Sequence, residues 1–206
     1  VDGQVHLHVD TENLRKNSHK IKPDDLITIT YKVHGTSFWV SNVLAKKKLN
    51  IFNKILKKIG VPIQDTEYDF FFGSRKVVKN QYETQHINDF YDGDLWSTLK
   101  DEVKEFVPKG YSLYGECIGY TAGGGYIQKP YDYSVEQGKH KIMIYRITFT
   151  NPDGVVCDLT SSAIQEYCDR FGLTYVHTFY HGRAKDLYND INVDPNDSSS
   201  WEELFV

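Results

Sequence analysis

At 206 residues, with 40% hydrophobic and 25% charged positions, the chain has the composition of an ordinary folded domain large enough to bury a core. Its formal net charge of −4 argues against a protein that simply coats nucleic acid, though not against an enzyme with a local basic patch. Three cysteines without a CxxC pair suggest neither a disulfide framework nor a zinc site. With no signal peptide read and no apolar run near the roughly 20 residues of a spanning helix, a cytoplasmic monomer without membrane contact is expected.

In chain order, His6 and His8 share one side of an extended segment without an evident third metal ligand. Pro23-Asp24-Asp25 is a turn into a strand in which Ile27 and Ile29 alternate with Thr28 and Thr30. Lys32 stands where that strand gives way, and Gly35 supplies backbone freedom or room for a close approach. Residues 37–43 are expected as the hairpin partner of this strand. From Lys46 to Ile59, lysines alternate with Leu49, Phe52, Ile55, Leu56 and Ile59 at helical spacing, a short basic amphipathic helix ended by Gly60 and Pro62.

Tyr68–Phe72 is an aromatic strand running into Gly73-Ser74-Arg75-Lys76. Leu95, Leu99, Val103 and Phe106 recur at helical spacing. Residues 111–120 and 141–150 read as strands on either side of a flexible loop containing Gly123-Gly124-Gly125, which lacks the frame of a phosphate loop. Asn151-Pro152-Asp153-Gly154 is a hairpin-type turn. A helix over 160–171, capped by Thr160 or Ser161 and closed by Gly172, leads to a strand over 173–180. At the end, Ser200 looks like the cap of a helix beginning at Trp201.

Four strand-end signals occur in order: Lys32-Val33-His34-Gly35, Phe72-Gly73-Ser74-Arg75, Tyr114-Gly115-Glu116, and the strand around Tyr145 and Arg146. Each alone is weak, but the ordered set over residues 10–149 resembles the covalent nucleotidyltransferases: ATP-dependent RNA and DNA ligases and mRNA capping enzymes, and most of all the phage- and virus-type RNA ligases. The resemblance implies an α+β fold with antiparallel sheets around a nucleotide-binding cleft and helices outside. It implies Lys32 as the nucleophile, Arg75 on the sugar or phosphate, Glu116 on the ribose hydroxyls and Tyr145 stacked on the purine. Thr30, Tyr31 and Gly35 then border the nucleotide. ATP and Mg2+ are the implied co-substrate and metal, with no metal ligands assigned, and nucleic acid ends, RNA in preference to DNA, are the implied partners.

Two positions depart from the family pattern: His34 stands where an aspartate is frequent, and Arg146 where another is frequent. The family's later EG and KxK motifs are not found after Tyr180. The chain is therefore expected to be the N-terminal part of one adenylylation domain over 1–206, weak or inactive alone. A DNA ligase, a capping-type guanylyltransferase, or a non-catalytic nucleotide- or nucleic-acid-binding module of the same fold are the alternatives.

Overall fold

The computed structural model describes residues 4–7, 11–75, 77–80, 94–191, 194 and 197. In chain order the elements are α1 (Leu14–Asn17), β1 (Leu26–Thr30), β2 (Thr36–Lys46), α2 (Ile51–Lys58), β3 (Thr66–Ser74), β4 (Val77–Asn80), α3 (Leu95–Val103), β5 (Tyr111–Gly119), β6 (His140–Thr150), β7 (Val156–Asp158), α4 (Ser161–Phe171), β8 (Thr174–Tyr175), β9 (Thr178–Arg183) and α5 (Ala184–Ile191). The class is α+β with mostly antiparallel pairing; β8 on β6 is the parallel exception. The chain divides into two compact units.

The larger unit holds Val33–Tyr175 with the described residues 4–7. Its seven-stranded sheet runs β4-β3-β2-β5-β6-β7, with β8 against β6. The period-two alternation of the strands sorts side chains onto two faces. Phe38, Val40, Phe72, Leu113, Cys117, Ile144 and Ile147 meet Leu95, Leu99 and Val103 of α3 and Ile164 and Cys168 of α4 in the main core. Trp39, Val43, Ala45, Phe71 and Tyr114 form a second, smaller cluster, joined by Tyr145. Both helices of the main core carry side-chain caps. Asp94 accepts from the Ser97 amide at 3.3 Å and Thr160 accepts from the Ala163 amide at 3.3 Å. Gly172, at a left-handed φ of 67°, ends α4 as a glycine in that conformation does.

The smaller unit consists of the described parts of Val9–Lys32 and Val176–Val206. Strand β1 pairs antiparallel with β9, from Leu26 opposite Arg183 to Thr30 opposite Thr178. Tyr180 and Leu187 are buried there, packed by Leu14, Ile21, Ile27 and Ile29.

Several expectations are corrected. Residues 37–43 do not form a hairpin with β1; they lie in β2, which pairs with β3 and β5, while β1 takes β9 from the far end of the sequence. Sequence proximity favoured the wrong neighbour. The strand expected over 173–180 is two pieces, β8 and β9, which serve different sheets. The basic helix is shorter than its pattern: Lys46 ends β2, and α2 starts only after Asn50, whose side chain accepts from the Asn53 amide at 2.8 Å. Strands β4 and β7 and helices α1 and α5 are not among the elements expected from the sequence. His8 and the helix expected from Ser200 lie outside the described residues. Among the described residues, no helix is long and apolar enough to cross a membrane.

Candidate functional site

The first signal is split by the unit boundary. In the smaller unit, Thr30 ends β1 at an irregularity in its pairing with β9. The Tyr31 amide then donates to the His177 carbonyl at 3.0 Å. The Tyr31 ring lies 5.3 Å from the His177 ring and meets Phe179 edge-on at 5.6 Å. These contacts fix the chain immediately before Lys32, which is itself exposed.

In the larger unit, Gly35 answers why a glycine follows three residues after the lysine. A Cβ there would lie 2.1 Å from the Cys117 carbonyl oxygen. Because the obstacle is backbone, the position tolerates no side chain without moving the β2–β5 pairing. The close approach has a second result: the Gly35 amide donates to Glu116 Oε1 at 3.0 Å. Glu116 is opposite Ser37 in the β2–β5 register, and Trp39 is opposite Tyr114 on the same face. Trp39 donates its indole N–H to the Ser74 carbonyl at 2.8 Å. That bond fixes the end of β3 from which Arg75 emerges, exposed, in the following turn.

Tyr145 stands at a β-bulge. Tyr114 pairs with Arg146 and Gly115 with Ile144, leaving Tyr145 as the extra residue of β6. A bulge re-aims a side chain, and here Tyr145 is half-buried against the cluster of Trp39 and Tyr114 while Ile144 stays in the main core. Burial pushes the Tyr145 hydroxyl above its usual range, against a hydrogen bond from Ser37 that lowers it; Glu116 nearby adds to the rise. Glu116, Ser37 and Tyr145 therefore form one neighbourhood.

The departure at Arg146 has a local explanation. Its guanidinium lies 5.0 Å from the Tyr114 ring centroid and makes a two-point ion pair with Asp158 of β7, with Nη2 to Oδ2 at 3.0 Å. It is engaged by the fold. Asp158 takes N–H donors at the edge of the guanidinium, and the guanidinium carbon lies over the Tyr114 ring.

Gly35, Glu116 and Tyr145 are thus brought together within one unit, and Arg75 follows a strand end tied to the same cluster. Thr30, Tyr31 and Lys32 belong to the other unit. Sequence reading missed Ser37 and Trp39, although their alternation with Phe38 and Val40 along one strand marks them as facing the other way. An open groove of about 380 Å³ lies elsewhere in the larger unit, lined by Pro108, Tyr111, Glu166, Tyr167 and Phe171 among others; it contains none of these residues. Among the described residues, no three His, Cys, Asp or Glu side chains gather as a metal site. No protein-family model matches the chain, and a search of curated proteins finds no match.

Proposed function

We propose that the protein is an ATP-dependent polynucleotide ligase, acting on RNA ends, that works through a lysine–AMP intermediate at Lys32. The observation that carries this reading is the hydrogen bond from Gly35 to Glu116 at 3.0 Å. It ties Gly35, the last residue of the first signal, to the glutamate of the third, which supports reading the two signals together. Chain connectivity alone keeps the Lys32 Cα within about 11 Å of the Gly35 Cα.

In this mechanism the neutral amine of Lys32 attacks the α-phosphorus of ATP. A nitrogen–phosphorus bond forms, the bond to the bridging oxygen breaks, and pyrophosphate leaves with that oxygen's electrons. The proton lost from the amine passes to solvent. An amine is nucleophilic only when deprotonated. Glu116 Oε1 is occupied by the Gly35 amide, which holds the carboxylate in place to accept from ribose hydroxyls. Tyr145 offers a ring braced by Trp39 and Tyr114, and Arg75 offers paired N–H donors for phosphate or sugar. Mg2+ would come with the triphosphate, and no residue of this chain is assigned to hold it. That ion would supply charge neutralisation at the phosphates. The 5′-phosphate of a nucleic acid end would then take the AMP, and a 3′-hydroxyl would displace it to seal the ends.

Calorimetry with AMP and ATP on the folded 206-residue chain tests the nucleotide half of this reading. Tyr145→Phe should bind nearly as the parent does, and Tyr145→Ala about 5- to 150-fold more weakly, as expected for a lost stacking platform. Glu116→Ala should also weaken binding. Equal affinity in all the variants, or no binding by the parent chain, would remove the proposal.

A further inference from the structure

Between β5 and β6 the chain makes an excursion that the nucleotide site does not use. It carries Tyr120, Tyr126, Tyr131 and Tyr133 within residues 119–140. The His34 ring stacks on Tyr131 with centroids 4.9 Å apart and planes 23° from parallel. Tyr131 in turn stacks on Tyr133 at 6.1 Å and 25°. Tyr131 is 43% exposed and Tyr133 41%, so a file of nearly parallel rings stands open to solvent.

Such a file is not left over from core packing. Its backbone is held in a costly form: Tyr133 and Ser134 are consecutive non-glycine residues at φ 51° and 59°, a left-handed conformation that persists only where surrounding contacts enforce it. Those contacts are present. The Tyr133 hydroxyl accepts from the His34 amide at 2.7 Å, and Asp132 accepts from the Ser134 amide at 3.0 Å and from the Tyr120 hydroxyl at 3.3 Å. Tyr126, 39% exposed, leans on Tyr120 at 4.8 Å. Lys129, two residues before Tyr131, is exposed. Stacked rings that remain partly exposed, with an exposed lysine two residues before Tyr131 in sequence, suit a flat, uncharged ring carried on an anionic chain.

We propose that the His34–Tyr131–Tyr133 file receives unpaired bases of a single-stranded nucleic acid. This deepens the ligase reading and rests on it for the choice of nucleic acid over other ring-bearing ligands. Stacking needs an open base face, which a paired duplex does not offer except at its ends. The proposed substrate is therefore an end with unpaired nucleotides rather than a nick within a duplex.

Fluorescence anisotropy without ATP tests this with a labelled single strand of about 12 nucleotides, within the usual range of single-strand site sizes. Arms use RNA, DNA of the same sequence, and the blunt duplex of each. The single strands should bind at least tenfold more tightly than their duplexes, and the RNA and DNA arms show which sugar is preferred. Tyr131→Ala should weaken single-strand binding about 5- to 150-fold, while Tyr131→Phe, which keeps the ring and reports on folding, should bind as the parent does. AMP binding should be unchanged in both. Duplex binding as tight as single-strand binding, no single-strand binding, or full binding by Tyr131→Ala would overturn the proposal. Single-strand binding that depends on Tyr131 in a protein that fails to bind AMP would retain the file and remove the ligase reading instead.

Discussion

Helices α2 and α3 begin from nearly the same sequence grammar and end in different places. Each is short, opens on an Asx cap, Asn50 or Asp94, and repeats apolar residues at helical spacing. Helix α3 buries Leu95, Leu99 and Val103 in the main core. Helix α2 buries none of its residues, and Ile51, Phe52, Ile55 and the following Ile59 are between 55% and 77% exposed. Periodicity identifies a helix and its apolar stripe; it does not say whether the rest of the fold meets that stripe. The difference lies in the flanks. Lys46, Lys47, Lys48, Lys54, Lys57 and Lys58 surround the α2 stripe, with no acidic residue between Lys46 and Gln64. Lys57 finds its carboxylate at Asp65, beyond the helix.

The largest contrast should come from the apolar stripes themselves. Leu99→Ala removes a fully buried side chain and should cost about 2–5 kcal/mol, through lost transfer energy and the cavity left behind. Ile55→Ala, at an exposed position, should stay within about 0.5 kcal/mol. Urea unfolding of both variants measures the pair. Similar losses would mean that α2 is covered after all.

A smaller effect is expected at the α3 cap. Asp94 binds the Ser97 amide and hydroxyl and the Lys79 ammonium, the last at 2.9 Å, and Lys79 is only 8% exposed. Burial tends to raise the Asp94 carboxyl, but the bonds from Ser97 and Lys79 outweigh it and hold the group below its usual range. A lowered folded value stabilises the protein above the unfolded value, near pH 3.9, and that contribution disappears as pH falls through the folded value. Asp94→Ala should lose about 1–2 kcal/mol at neutral pH, from the missing cap and the lost ion pair to Lys79. Parent and variant stabilities should converge as the pH is lowered below about 4. A gap of constant size down to pH 2 would contradict this account of the cap.

The smallest effect belongs to Asn50→Ala. The cap is worth about 1 kcal/mol to its own helix, yet α2 contributes nothing to the core, so global unfolding should not move. Hydrogen exchange at the amides of residues 54–57 should accelerate about fivefold while that of β5 and β6 stays unchanged.

The same distinction governs how much of the molecule was legible. Strands β1, β3, β5 and β6 and helix α4 could be read because alternation, caps and glycine stops agree within each segment. The partners of β1 and β2 could not, because pairing is decided by long-range packing and the nearest strand in sequence is only the default choice. Among the site residues, Gly35, Glu116 and Tyr145 were visible as strand-end signals, and their neighbourhood follows from the β2–β5–β6 register. The reason for Gly35 was not visible, since the crowding comes from Cys117, far along the chain. Nor was the bulge that turns Tyr145 out of step with Ile144. The aromatic file escaped notice because His34 and Tyr131 are distant in sequence and meet only through the fold.

The central claim is covalent chemistry at Lys32, and one measurement addresses it most directly. The protein is incubated with ATP and Mg2+, digested and mapped by mass spectrometry. The account predicts a single AMP, on the peptide containing Lys32, that is absent from Lys32→Ala and released by added pyrophosphate. AMP on a different lysine, or none on any, would contradict it.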